Sequence, residues 1–581
     1  MKTIKKYYYI LLMFSCLFSC KNLTETNENP NALTDENVSP GYILTSVLTG
    51  TASKYADLSL TGNTTLCIIP AAMQYIQQDF SGYNLTNNFV WNALSVDYRG
   101  LYLPLSNASY LGTRANNNVD SLFIKGTSLV MQSLWFGFYT CAWGDIPYSE
   151  AFSAGENVLE PVYDNQIDVF AGILNTLETA NDCFMRISTI NSSTLISGDL
   201  LYKGDVLKWR QFANSLKLRF LMRLSEKTSE MKAIGIDVKD AFNKIVADPA
   251  TYPIITSSSD NASMSFPGTK TSDSWPMGAL NRPSISEFYR KKPGAPIINF
   301  LKEHNDPRLT CWFRPVDVQT LVRDKGSDVV IEKDNKGVVK RYLKTNNLGI
   351  DTSLYVGLGI SLTDPDGYNN NVSSQRSLAF ALDNTFYSGG ATNPFVSYLS
   401  LIFRADTNPL VKSIFISASE VNFTLAEAAY KGWISGNGLT YYLNGVFASL
   451  DQYNITDGDV AVYNSTTHQT VSYDKSVFQK RLTADYENAA DPLAVIIHQK
   501  WAAEFGTTDG WFDWRRTGYP SLGKNLINGP RGEQIPVRFM YGSSELNYNT
   551  ANTNIAISRL DPATNEQWSK MWLIQGTGKP Y

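Results

Sequence analysis

The sequence predicts a mainly α-helical protein with a loop-rich half and few short strands, and three observations carry that prediction. Apolar residues recur at spacings of three and four over several long segments, the pattern of helices that bury one face. Between these segments lie stretches dominated by Gly, Pro, Asn, Asp and Ser, at 250–300, 325–412 and 515–581, where β-like runs such as DVVIE at 328–332 are brief. A composition of 43% hydrophobic and 18% charged residues over 581 positions suits a globular chain with a large core.

Taken in order, the chain opens with Lys2, Lys5 and Lys6, followed by the apolar run YYYILLMFSCLF at 7–18. That run is too short for the ~20 residues of a membrane span and reads as an export signal over 1–19. Leu17, Phe18 and Ser19 lead directly into Cys20, the layout of a bacterial lipobox, with Phe18 bulkier than the residue usual there. Cys20 is therefore expected to be acylated as the first residue of the mature chain. Each buried methylene contributes ~0.8 kcal/mol, so several acyl chains hold firmly. Residues 20–40, rich in Asn, Thr, Glu and Pro, are expected to serve as a solvated tether. No Gly/Ser linker divides the remainder of the chain, and one domain is expected over 41–581.

Helices are expected at 41–60, 64–79, 97–117, 120–142 and 163–186. The most apolar window after the leader, IKGTSLVMQSLWFGFYTCAW at 124–143, contains Lys125, Gln132 and glycines, so a buried helix is expected there and not a span. From Asp205, a good N-cap, the segment VLKWRQFANSLKLRFLMRL puts Val206, Trp209, Ala213, Leu216, Phe220 and Leu224 on one face. Ser417 and Glu420 have capping-box spacing ahead of Ala418, Val421, Leu425 and Ala428, a stripe small enough for close helix approach. Asp491 and Pro492 open a helix that Gly506 closes.

Chemistry-bearing patterns are few. Loss of the leader leaves 47 basic against 54 acidic residues, a net −7, and no clustered basic face of the kind nucleic acid requires. Cys67, Cys141, Cys183 and Cys311 have neither metal-ligand spacing nor a disulfide framework. His304, His468 and His498 belong to no catalytic motif, and no phosphate-binding glycine loop is complete. His498, mid-helix, is expected to be packing. DPDG at 364–367, with Asn369 and Asn370, offers oxygens to calcium but lacks the spaced ligands of a regular loop; a solvated turn is the favoured reading, with no cofactor expected and structural calcium left open. Paired carboxylates for glycoside hydrolysis cannot be read from sequence, since they come from distant positions.

The blocks NPNALTDEN after the acylated cysteine, GDVLKWRQFANSLKLRFLMRLS, NDPRL at 305–309, ISASEVNFTLAEAAYKGW, DGWFDWRRTGYPSL at 509–522 and PVRFMYGSSELNYNT resemble, in order and over nearly the whole chain, the SusD/RagB family of Bacteroidetes outer-membrane lipoproteins. The resemblance implies a helical scaffold of tetratricopeptide-like pairs with a loop-rich, ligand-binding half. It implies a lipid-anchored protein at the cell surface that partners a SusC-like TonB-dependent transporter and captures oligosaccharides, or in some members peptides, without acting on them. An exported glycoside hydrolase is the remaining alternative. Arg515 and Arg516 are then expected to be ion-paired architecture.

Ligand residues do not transfer by motif, because the family's pocket lies in its most variable loops; position and residue type must choose them. Aromatics make up 12% of the chain, and rings beside Asn, Gly and Asp in irregular sequence suit a sugar, whose apolar face stacks on a ring while polar neighbours bond its hydroxyls. The stretch QQDFSGYNLTNNFVW at 77–91 offers Tyr83, Asn84, Asn87 and Trp91. SDSWPMGALNRP at 272–283 offers Trp275 and Asn281, with Tyr289 shortly after.

Overall fold

The computed structural model describes residues 38–60, 68–79, 84–91, 98–116, 118–323, 328–344, 349–385, 393–523, 531–532 and 534–581. Cys20, residues 21–37 of the expected tether, Cys67, Tyr83 and the side chain of Asn84 lie outside the described residues, while Ser39 and Pro40, expected in that tether, cap and open the first helix. The principal helices are α1 (Pro40–Leu58), α2 (Tyr98–Thr113), α3 (Ser121–Trp143), α4 (Gln166–Met185), α5 (Ser193–Gly198), α6 (Val206–Arg223), α7 (Val238–Ala247), α8 (Ala418–Tyr430), α9 (Gly438–Gln452), α10 (Pro492–Ala503) and α11 (Asp509–Thr517). Successive helices pack as neighbours: α1 on α2, α2 on α3, α3 on α4, and α8 on α9, with α6 lying against both α4 and α8. One hydrophobic core runs through them, from Ile43 of α1 to Ile574 near the C-terminus.

The expected starts and stops hold where they depend on local chemistry. Asp205 caps α6 by accepting from Lys208 N at 3.1 Å, and Asp491 caps α10 by accepting from Leu493 N at 3.0 Å. Gly506, at φ +91°, ends the turn after α10 in a conformation that side chains resist. Asp205→Ala should therefore cost about 1 kcal/mol, measurable as a lowered urea midpoint at unchanged m-value; an unaltered midpoint would mean the cap is idle. The face of α6 predicted to be apolar is buried from Trp209 to Phe220. It meets α3 so closely that a Cβ on Gly137 would lie 2.0 Å from the Phe220 ring, so only glycine fits there. Helix α3 is buried along most of its length, and among the described residues no helix is long and apolar enough to cross a membrane.

Two expectations need correction. Among its described residues, 68–79, the segment 64–79 is not one helix: a five-residue helix, Ile68–Ala72, gives way to strand β1 (Ile76–Gln78). Ser417 does cap α8 through Glu420 N at 3.2 Å, but the Glu420 carboxylate is taken by the guanidinium of Arg219 on α6, at 2.5 Å. A buried, charge-assisted pair outweighs closure of a capping box.

Most of the strands lie in or beside the loop-rich segments 250–300 and 325–412. β2 (Ala262–Met264) pairs antiparallel with β9 (Ser413–Ile416), β3 (Lys291–Pro293) with β1, and β4 (Phe313–Arg314) with β8 (Tyr398–Leu399). β5 (Gln319–Val322), β6 (Val329–Lys333) and β7 (Val339–Leu343) form a mixed sheet with β7 central. The run DVVIE thus reads correctly as a strand. These small sheets clasp the 272–293 segment onto the helical scaffold: β2 and β9 lie against α1, and β3 continues from Tyr289 into the β1 edge.

Candidate functional site

The loop 272–283 forms one wall of a cleft of about 500 Å3, and the C-terminal half of α1 forms the other. Its lining is polar: Ser53 and Asp57 from α1, then Thr271, Ser272, Ser274, Asn281 and Arg282 from the loop, with Phe266 and Pro276 as apolar floor. Several bonds stiffen the loop without any ladder. Asp406 accepts from Ser274 Oγ at 2.6 Å and from Leu280 N at 2.7 Å, and its own carbonyl accepts from Trp275 N at 2.8 Å. Arg404 donates to the carbonyls of Met277 and Arg282. A Cβ on Gly278 would sit 2.4 Å from the Asp406 carboxylate, which explains a glycine at this bend.

Burial raises the Asp57 carboxyl above its ordinary value, while Lys54, Arg282 and Lys291 pull it back. A carboxylate and a guanidinium thus share one cleft, an arrangement able to accept from and donate to vicinal hydroxyls. Tyr289, outside the cleft's lining, is half-buried and edge-on to Tyr398 at 5.4 Å, with the Arg314 guanidinium 5.9 Å from its ring centre. Beneath Tyr398 the Lys292 ammonium lies 3.2 Å from the ring centre and 3.7 Å from Asp79. Burial pushes Asp79 up to about 7 and Lys292 down to about 8. Both groups are enclosed, so this pair is the floor beneath the tyrosines and has no face toward ligand.

The sequence-chosen residues divide sharply. Asn281 lines the cleft, although its Nδ2 is spent on the carbonyls of Ser274 and Trp275 at 3.1 and 3.2 Å, and Tyr289 is half-buried outside that lining. Trp275, 4% exposed, is the peg of the loop: its Nε1 donates to Phe403 O at 3.2 Å and its ring meets Phe266 edge-on. Trp91, 3% exposed, packs in the core against Trp511 and Phe539 at 5.5 and 5.6 Å. Asn87 is buried and completes a ladder for β1, accepting from Gln78 N at 2.8 Å and donating to Gln78 O at 2.7 Å. Trp275, Trp91 and Asn87 therefore hold the fold and offer ligand no surface, a correction that burial imposes. Trp312 is likewise enclosed, stacked on Phe505 at 4.9 Å.

Three other sequence expectations concern charge and metal. His498 is a packing residue, stacked on Phe300 at 4.3 Å, and burial with His304 nearby pushes it down to about 4. Arg516 is ion-paired as expected, but Arg515 is not. It donates to the carbonyls of Val537 and Cys141 and covers the Trp511 ring at 4.3 Å, and burial lowers it to about 9. In the DPDG turn, Asp364 accepts from Gly367 N at 3.0 Å, and Asn369 is committed to Asp351 and Phe395. Among the described residues no cluster of three or more His, Cys, Asp or Glu side chains could hold a metal ion.

Sequence reasoning missed Asp57, hidden among helical residues, and a second concavity of about 350 Å3. The latter is lined by Tyr102, Phe152, Leu159, Tyr163, Tyr548 and their neighbours. Phe152 is held at φ +69°, unusual for so large a side chain. Rings from three distant segments meet there, and no local pattern announces it.

The family model described as "Starch-binding associating with outer membrane" matches residues 30–354, and that described as "Susd and RagB outer membrane lipoprotein" matches residues 386–574. No curated protein matches the chain. Among solved structures, a SusD homolog from Bacteroides fragilis superposes with a TM-score of 0.67 at 22% identity, covering 93% of this chain and 100% of that one. A protein described as chitin-binding gives 0.65 at 20% identity, with 93% and 100% covered. A SusD homolog from Bacteroides uniformis gives 0.61 at 20% identity, with 92% and 99% covered. At these identities the structural likeness speaks for the fold alone.

Proposed function

Because this chain belongs to the SusD/RagB family of outer-membrane lipoproteins, we propose that it is a cell-surface lipoprotein, anchored through Cys20, that captures oligosaccharides for a SusC-like TonB-dependent transporter. The folded unit, 41–581, is the receptor; the polar cleft between α1 and the 272–283 loop receives the glycan. Asp57 and Arg282 bond its hydroxyls, Asn281 shapes the rim, and Phe266 in the lining and the half-buried Tyr289 offer rings. The observation that carries this reading is the cleft's lining, rich in hydroxyl, amide and charged groups on a loop pinned from behind by Asp406 and Arg404. A preorganised wall spends little entropy on binding.

Binding without hydrolysis is favoured by the same lining. Glycoside cleavage generally takes two carboxylates flanking the bond, and among the described residues that line the cleft Asp57 is the one carboxylate. Calorimetric titration with starch- and chitin-derived oligosaccharides tests the reading. Asp57→Asn and Arg282→Gln should each weaken binding by about 1–3 kcal/mol, the worth of a hydrogen bond to a charged group. Unchanged affinity in both would remove the cleft from consideration, and new reducing ends would replace the receptor with an enzyme. A peptide preference would appear in the same titration as heat with peptides and none with sugars.

A further inference from the structure

Where the chain enters the fold, at Val38, three segments meet. Arg114 at the end of α2 donates to Val38 O at 3.3 Å. Ser39 Oγ and Thr45 Oγ1 bond α5, at Thr194 Oγ1 (3.1 Å) and Gly198 O (3.0 Å). A Cβ on Gly41 would fall 2.2 Å from Thr194 O, so the backbones of α1 and α5 touch. The start of α3 joins through Asp120, whose carboxylate accepts from Asn191 N and Ser192 N, both at 2.8 Å.

Around this junction four apolar side chains reach the surface among exposed Ser, Thr and Asn residues. Tyr42 is 68% exposed and Val119 is 77% exposed, and Ile196 and Leu200 are each exposed by more than a third. The charges that reach solvent along 38–46, 110–125 and 190–204 are Arg114, Lys125 and Lys203, all basic, on a chain whose net charge is negative. The two acidic residues of these segments, Asp120 and Asp199, are buried and spent on backbone N–H groups.

We propose that this face rests on the lipid surface, with Tyr42, Val119, Ile196 and Leu200 entering the headgroup region and Arg114, Lys125 and Lys203 meeting anionic headgroups. The proposal rests on the reading of Cys20 as the lipidated residue. Residues 21–37 separate Cys20 from Val38, and 17 residues span at most about 60 Å fully drawn out. A folded chain of this length has a radius of gyration of about 24 Å, or roughly 60 Å across. The opposite face therefore meets the membrane only if the link is stretched to its limit, whereas the Val38 face meets it at any extension. Exposed apolar side chains with a tyrosine and a basic fringe are what an interfacial contact requires.

The test uses the mature, lipidated chain on vesicles of phosphatidylethanolamine and phosphatidylglycerol. Tyr42, or in a second protein the comparably exposed Tyr548, is replaced by photoreactive p-benzoylphenylalanine. Lipid adducts at position 42 are expected to exceed those at 548 at least fivefold. Adding Val119→Ser, Ile196→Ser and Leu200→Ser should cut the yield at 42 at least threefold. Equal yields at both positions overturn the proposal, as does capture of protein in place of lipid at position 42 in native membranes. The mass of the N-terminal peptide separates the two readings. An acylated Cys20 with no adduct at 42 defeats this proposal alone, and an unmodified Cys20 defeats the anchor and this proposal together.

Discussion

Replacing Arg516 by methionine is expected to destabilise the fold by about 3–5 kcal/mol, the cost of leaving buried charge without its partner. The Arg516 side chain is 4% exposed and lies at the end of α11, where Nη2 reaches Glu427 of α8 at 2.7 Å and Asp513 of its own helix at 3.0 Å. Nη1 also donates to Ser225 Oγ, just beyond α6, at 3.1 Å. One guanidinium thus joins three helices that share no sequence neighbourhood. Without it Glu427, fully enclosed, retains among the described residues only the Lys431 cation, which approaches from the rim at 3.9 Å. Asp513 keeps Lys500 at 2.6 Å, so the loss concentrates on Glu427. The double change Arg516→Met with Glu427→Met should recover most of the stability, because two apolar groups of similar size replace a pair whose desolvation was costly. Urea midpoints at constant m-value decide this. A single-variant loss below about 1 kcal/mol, the worth of an exposed pair, would mean that the site is wetter than its packing implies.

That clamp shows which parts of the architecture were readable. Helices α6, α8 and α10 could be located because their caps and apolar stripes are local: Asp205, Ser417 and Asp491 each act within three residues of their own position. Glu420 departs from its expected role for the complementary reason. Its spacing is right for a capping box, and its partner, Arg219, is distant in sequence. The same limit governs the site. Trp91 and Trp275 have the composition of ligand-facing rings, yet Trp511 and Phe539 enclose one while Phe266 and the Phe403 carbonyl hold the other. Nothing within 77–91 or 272–283 encodes those partners. The 272–283 stretch nevertheless contributes a wall of the cleft, because residues that peg a loop and residues that face solvent alternate within it: Trp275 points in, and Asn281 and Arg282 point out.

Glu504→Gln is expected to become progressively more stable than the natural chain as pH rises from about 5 to 8. Four enclosed cations, Arg219, Arg223, Lys500 and Arg516, face five enclosed carboxylates, Glu420, Glu427, Glu504, Asp509 and Asp513. Glu504 is the one left over. Lys500 lies 3.8 Å from it but donates to Asp513 at 2.6 Å, and neither Glu504 oxygen has a hydrogen-bond partner. Burial, reinforced by the negative charge of Asp513, Glu420 and Asp509, raises its carboxyl well above the ordinary 4.5. The folded state therefore binds this proton more tightly than the unfolded chain. The stability it contributes is complete below 4.5 and is lost as pH climbs from there through the raised folded value. One proton's linkage has a limiting slope of about 1.4 kcal/mol per pH unit, and an amide of the same shape carries no such slope. The difference between the two proteins should accordingly open by about 2–3 kcal/mol between about pH 5 and 7, read from urea midpoints at each pH. Groups that titrate alike in both, such as Asp79 and Asp57, cancel from that difference. Parallel stability curves would show that Glu504 stays ionised in the fold and that water or a cation reaches it.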